Sequence, residues 1–225
     1  MSQGFTYAVD IVLVIDATGS MSSIIDRVKA GAVKFHDELS SVMAEKDKFV
    51  DELRIRVIAY RDYYDDDSDA LIASDFLTLP DQQAELERFV SGIRASGGGD
   101  EPETGLEALA EAMRSPWTRS GSKRRHAIVV WTDASVHPLE KNAGRKPGRY
   151  PADMPADFDE LTDMWDGQDV MDANAKRLVL FTPDAYAWSD MAVHWESTLH
   201  YPSRAGGGLS DMDYGTILEN IANSI

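Results

Sequence analysis

The chain has 225 residues, 43% hydrophobic and 27% charged, which suits one fairly large α/β domain spanning residues 1–225. Its formal net charge of −17 argues against a nucleic-acid partner, because a phosphate backbone would be repelled over most of the surface. With no cysteine, no apolar run near the roughly 18 residues of a membrane span, and an opening MSQGFTYAVD that lacks the basic and apolar parts of a secretory signal, a cytoplasmic setting without membrane contact is expected.

The apolar run Ile11–Ile15 ends in Asp16, passes through small hydroxyl residues and glycine, and gives way to an amphipathic pattern from Ile24. That order reads as a buried strand, a tight loop and a helix. Asp16, Thr18 and Ser20 stand at alternate positions of the loop, so one carboxylate and two hydroxyls can face a hard cation that prefers oxygen ligands. The same residue types are ordinary turn and N-cap formers, and the loop alone leaves a capped corner equally open. Ile24/Ile25, Val28, Ala32, Phe35, Leu39 and Val42/Met43 then recur at helical spacing.

Leu53–Tyr60 and Ser74–Leu79 read as two strands, antiparallel because their connection is short. The intervening RDYYDDDSD has aspartates but neither the glycine nor the terminal glutamate of a calcium loop, so an acidic, solvated rim is expected. Asp81 is placed to cap a helix carrying Leu86, Phe89, Val90 and Ile93. GGGDEPETG follows at 97–105, with three glycines that permit close backbone approach, Asp100 at a helix entrance and Pro102 in the expected first turn. No Walker lysine follows, and the acidic residues disfavour phosphate there.

RSGSKRRH at 119–126 and KNAGRKPGR at 141–149 are the two basic segments, read as solvated loops. His126–Thr132 is a second apolar strand, ending in Asp133; two buried strands each ending in Asp suit a parallel sheet with a site at its carboxyl edge. Residues 138–155 read as a long loop on that edge, and His137 as a loop histidine near it. A helix near Asp157, a strand Arg177–Thr182, a core helix with Trp188, Met191 and Trp195, a short strand Ser197–His200, a GGGLSDMD connection and a closing helix from Tyr214 complete the chain.

Strands alternating with helices, with one early hairpin, give an α/β fold: a doubly wound, mostly parallel six-stranded sheet with one antiparallel edge strand and helices on both faces. The motifs D-A-T-G-S at 16–20, Asp100 after the glycines, and WTDAS ending in the 131–135 stretch resemble the von Willebrand factor type A domain. More narrowly, YRDYYD, GGGDEPE and TDASVH resemble the intracellular A domains found beside alpha-type kinases and in bacterial multi-protein systems. The resemblance implies a Rossmann-like fold and a metal-ion-dependent adhesion site, with Asp16, Thr18, Ser20, Asp100 and Asp133 around Mg²⁺, or else Mn²⁺ or Ca²⁺. It further implies that Thr18 and Ser20 ligate directly while Asp16 and Asp133 act through water or change shells. Asp100 departs from the neutral threonine usual in adhesion receptors, and three carboxylates around a divalent ion leave a formal local charge of about −1.

The function expected is a non-enzymatic, metal-dependent module that binds a protein partner, through an acidic side chain on the metal, as an intracellular interaction or assembly domain. Two readings compete with it. One is a haloacid-dehalogenase-like, Mg²⁺-dependent aspartyl-phosphate phosphatase or phosphotransferase with Asp16 as nucleophile, which lacks a lysine after a strand in the right order. The other is a scaffold subunit in which the metal is purely structural.

Overall fold

The computed structural model describes residues 6–23, 25–45, 50–66, 69–99, 101–141, 147–167, 170–202 and 219. Strand β1 (Tyr7–Asp16) lies inside a sheet ordered β3-β2-β1-β5-β6-β7. It runs parallel to β2 (Glu52–Tyr60) on one side and β5 (Lys123–Trp131) on the other. Parallel pairing continues through β6 (Lys176–Phe181) to β7 (Thr198–His200).

The α/β, mostly parallel architecture is the one expected, but with seven strands among the described residues. The antiparallel edge is split into β3 (Leu71–Ala73) and β4 (Leu77–Leu79), both paired with β2. Ser74 accounts for the break. Its N–H donates to Val57 O, and its Oγ, in place of a backbone carbonyl, accepts from Val57 N at 2.9 Å. The ladder bond survives while the chain bends between the two pieces. A lone hydroxyl residue inside an apolar run carries no such instruction in sequence.

β1 is apolar on both faces because both are covered. Val9, Ile11, Leu13 and Ile15 pack in one core with α1 (Ile25–Glu45) and α2 (Gln83–Gly92). Val12 and Val14 enter the opposite core with α3 (Gly105–Met113), α4 (Phe158–Asp166) and α5 (Trp188–His194). Trp188 and Met191 are buried there, and Trp195 stacks on Trp165 at 5.5 Å, as a core helix requires.

Local chemistry sets several boundaries. Asp157 caps α4 by accepting from Glu160 N at 2.8 Å. Asp81 caps nothing; α2 follows Gln82, whose Oε1 instead accepts from Thr78 N. Pro102 precedes α3, which begins only after Thr104. The first basic segment is no loop at its end, since Lys123–His126 enters β5, Arg124 pairs with Asp172 at 2.9 Å, and His126 is fully buried. The connection and closing helix expected after residue 202 lie outside the described residues, as does part of the second basic segment. Among the described residues no helix is long and apolar enough to cross a membrane.

Candidate metal centre

The register of β1 on β5 sets Ile15 beside Trp131, so the next residues, Asp16 and Thr132, meet at the carboxyl edge. β1 lies between β2 and β5, where the chain order reverses, which is the switch point at which open α/β sheets form crevices. Asp16 is 0% exposed, and both its oxygens are engaged. Oδ1 accepts from Thr18 N at 2.8 Å and Thr18 Oγ1 at 2.6 Å; Oδ2 accepts from Thr132 Oγ1 at 2.5 Å.

After β1 a short 3-10 helix (Gly19–Ser23) carries Ser20 back over the strand ends. Ser20 Oγ donates to Asp133 Oδ1 at 2.8 Å and lies 3.1 Å from Thr18 Oγ1. Asp16, Thr18, Ser20 and Asp133 therefore form one continuous row of oxygens. Asp133 Oδ2 is buried with no hydrogen-bond partner. Burial, reinforced by repulsion from Asp133, pushes the Asp16 carboxyl up to about 6 against the bonds from Thr132 and Thr18.

The glycine segment crosses above this row. Gly19 N donates to Gly97 O at 3.1 Å, and Ser96 N donates to Ala17 O at 2.9 Å. Gly98 has φ +86°, and a Cβ there would lie 2.7 Å from Thr18 Cβ and 2.6 Å from Glu103 Oε1. Only glycine permits that approach. Glu103 and Thr18 thus border the same face of Gly98, and Glu103 Oε2 is buried and unpartnered. Burial first, then the charges of Asp16, Asp62, Asp66 and Asp65, push its carboxyl up to about 9.

The acidic loop after β2 is the solvated rim expected from sequence at Asp65 and Asp69, which are exposed, but not at Asp62. Asp62 is 2% exposed; it accepts from Thr104 Oγ1 at 2.9 Å and Tyr64 N at 3.0 Å, and its Oδ2 lies 3.2 Å from His137 Nε2. Burial alone would raise the Asp62 carboxyl, but the bonds from His137, Tyr64 N–H and Thr104 together bring it below the ordinary range. Asp66 Oδ2 accepts from Gly98 N at 2.9 Å, so this loop also fastens the glycine segment.

Four of the five sequence-nominated residues, Asp16, Thr18, Ser20 and Asp133, are brought together; Asp100 lies outside the described residues. Among the described residues no three His, Asp or Glu side chains converge where a metal ion would fit. The donor set there is two carboxylates and two hydroxyls. Its chemistry fits a hard divalent ion: every donor is oxygen, the hydroxyls sit 3.1 Å apart, and Asp133 keeps one buried oxygen unused. Neighbouring ligands of an octahedral Mg²⁺ lie about 3 Å apart, in keeping with that hydroxyl spacing. Sequence reasoning missed Thr132, Glu103 and Asp62 as parts of the arrangement. Thr132 was readable only from strand register, whereas Glu103 had one signal, its place between the glycines and an apolar helix.

Comparison with known proteins agrees with this fold. The family model described as von Willebrand factor A domain matches residues 10–143, more than half of the chain. The alpha-protein kinase vwkA of Dictyostelium discoideum is 32% identical over 158 residues, 69% of this chain and 23% of that protein. The putative ariadne-like RING finger protein R811 of Acanthamoeba polyphaga mimivirus is 32% identical over 130 residues, 57% of this chain and 11% of the other. The matches thus span less than a quarter of either relative's length. Among solved structures, the pilus adhesin SpaC of Lactobacillus rhamnosus GG aligns with TM-score 0.59 and 11% identity over 98% of this chain and 31% of its own. A von Willebrand factor type A structure from Catenulispora acidiphila aligns with TM-score 0.54 and 15% identity over 97% of this chain and 42% of its own. At such identities the structural likeness bears on fold alone, but together with the family match and the strand-end arrangement it leaves one conclusion: the chain belongs to the von Willebrand factor A domain family.

Proposed function

We propose that the chain is a non-enzymatic, metal-ion-dependent protein-binding module, acting as an intracellular interaction or assembly domain. In this reading Asp16, Thr18, Ser20, Asp100 and Asp133 hold Mg²⁺, and a protein partner docks an acidic side chain at the same edge. The observation that carries it is the oxygen row from Asp16 to Asp133, ending in a buried carboxylate oxygen without a partner. Asp16 orients the Thr18 hydroxyl, Asp133 orients that of Ser20, and Thr132 fixes Asp16 from the adjacent strand. When bound, a divalent cation would supply the Lewis-acid point that an incoming carboxylate recognises. The phosphatase alternative is disfavoured, because a fully buried Asp16 with both oxygens hydrogen-bonded presents no nucleophile.

Titration calorimetry with Mg²⁺, Mn²⁺ and Ca²⁺ on the parent, Ser20→Ala and Asp133→Asn tests the site, and pull-down in Mg²⁺ against chelator tests the module. Cation binding by the parent, lost in both variants, together with chelator-sensitive capture of a protein, is the expected result. A parent that binds none of the three cations at millimolar concentration sinks the reading. Asp100→Thr addresses the third carboxylate: weaker cation binding and a stronger response to an acidic ligand are expected, and unchanged values remove Asp100 from the ligand set.

A further inference from the structure

Beside the oxygen row, several groups converge on one ammonium. Lys141 Nζ lies 3.1 Å from Glu107 Oε1 and donates to Pro138 O at 2.7 Å. It also sits 5.4 Å from the centre of the Tyr64 ring and 5.5 Å from that of Tyr150. A carboxylate and two aromatic faces within such distances are the elements by which proteins recognise alkylammonium groups. Tyr150 hydroxyl donates to the same Glu107 Oε1 at 2.9 Å, and Tyr63 meets the Tyr150 ring edge-on at 5.4 Å. Tyr64 lies against His137 at 4.8 Å, and His137 in turn reaches Asp62, so the pocket adjoins the rim of the candidate centre.

Two observations distinguish this pocket from a simple structural strut. Glu107 is 1% exposed and its Oε2 is buried without a hydrogen-bond partner, so Lys141 leaves part of the acceptor capacity unused. Tyr64, one wall of the pocket, is 42% exposed, whereas the side chains of Lys141 and Glu107 are 5% and 1% exposed, so Lys141 closes the pocket behind a wall that borders solvent. We propose that Glu107, Tyr64 and Tyr150 form a side-chain-cation pocket, filled from within the chain by Lys141, which a lysine ammonium of a protein partner takes in exchange.

Chemistry and charge favour that occupant. Lys141 stands outside the described helices and strands, on a flexible four-carbon stem. The net charge of −17 draws a lysine-bearing segment toward the surface. While Lys141 plugs the pocket, the partner's apparent affinity is reduced by the small fraction of molecules in which the pocket is open. Removing the plug therefore tightens binding. None of this needs a metal ion, so the outcome is separable from that of the proposed cation site.

The test uses n-butylammonium chloride, a copy of the lysine side chain, with sodium chloride at equal ionic strength as control and chelator throughout. Thermal unfolding is read for the parent, Lys141→Ala and Lys141→Ala/Glu107→Gln. The expected result is a lower Tm for Lys141→Ala that n-butylammonium largely restores, with little effect on the parent or the double variant. A short fluorescent peptide carrying one lysine should bind Lys141→Ala about tenfold or more tighter than the parent. Equal effects of n-butylammonium on all three proteins, or peptide binding no tighter to Lys141→Ala, overturn the proposal. Lys141→Met, which keeps the stem, is the second variant; if both single variants fail to fold, Lys141 is structural and the exchange is refuted.

Discussion

Glu103 illustrates how single residues set the electrostatics of this edge. Its carboxyl, ordinarily near 4.5, is pushed up to about 9, so the folded chain holds a proton that the unfolded chain releases in between. Its contribution to stability is complete below the ordinary value and is lost as pH rises toward 9. In chelator, the Tm of the parent should fall between pH 5 and pH 9 by more than that of Glu103→Gln, which mimics the protonated form permanently. Parallel Tm profiles across that range would show that Glu103 is ionised in the folded chain. Asp16, pushed up to about 6, adds a second pH effect: a proton on it competes with any cation, so Mg²⁺ affinity should drop as pH falls from 7 to 5. Calorimetry at the two pH values checks this, and a flat affinity would count against Asp16 as part of the cation site. Asp16, Thr18, Ser20 and Asp133 were legible in the sequence because each lies at a fixed offset from the end of an apolar strand. Glu103 and Asp62 were not, because their roles depend on which loops cross the strand ends, and two acidic residues in polar segments look alike whether buried or solvated.

At the scale of elements, the glycine segment before α3 is the tightest join. Gly97, Gly98 and Gly99 have φ of 73°, 86° and 57°, and Gly98 faces both Thr18 and Glu103. Gly98→Ala combines a disfavoured backbone with two close contacts, and a loss of about 2 kcal/mol or more is expected in urea unfolding. Gly92, the last residue of α2, makes the control. An added Cβ there meets nothing within 4 Å, and Gly92→Ala should stabilise by roughly 0.5–1 kcal/mol. Similar losses for both would mean that Gly98 is not sterically constrained. The order of strands and helices was readable because apolar spacing reports which face is covered, and β1 reads as continuous because both faces are. The split edge at Ser74 and the late start of α3 after Thr104 were not, since each depends on a hydrogen-bond partner far along the chain: Val57 for Ser74, Asp62 for Thr104.

Across the whole molecule, the Asp10 anchor and the proposed cation site sit toward opposite ends of the same strand. Asp10, 1% exposed, accepts from Arg54 Nε at 2.7 Å, Arg54 Nη2 at 2.6 Å and Thr118 N at 2.6 Å, joining β1, β2 and the segment after α3. Six steps along the strand separate it from Asp16, roughly 20 Å at the ordinary rise. Asp10→Ala strands a half-covered guanidinium and a buried N–H, and a loss of about 3 kcal/mol is expected. Ser20→Ala removes one hydrogen bond made by an exposed serine and should shift stability by about 1 kcal/mol at most. Sites this far apart with no shared partner behave additively to about 0.5 kcal/mol. Under the proposed function, saturating Mg²⁺ stabilises by about 2.7 kcal/mol at a hundred times its Kd. That increment should therefore persist in Asp10→Ala, vanish in Ser20→Ala, and vanish in the double variant, whose loss in chelator equals the two single losses together. Chemical denaturation of the four proteins with Mg²⁺ and with chelator measures every term. Loss of the Mg²⁺ increment in Asp10→Ala would mean that the two ends are coupled through β1, and the rim could then not change its chemistry without disturbing the core.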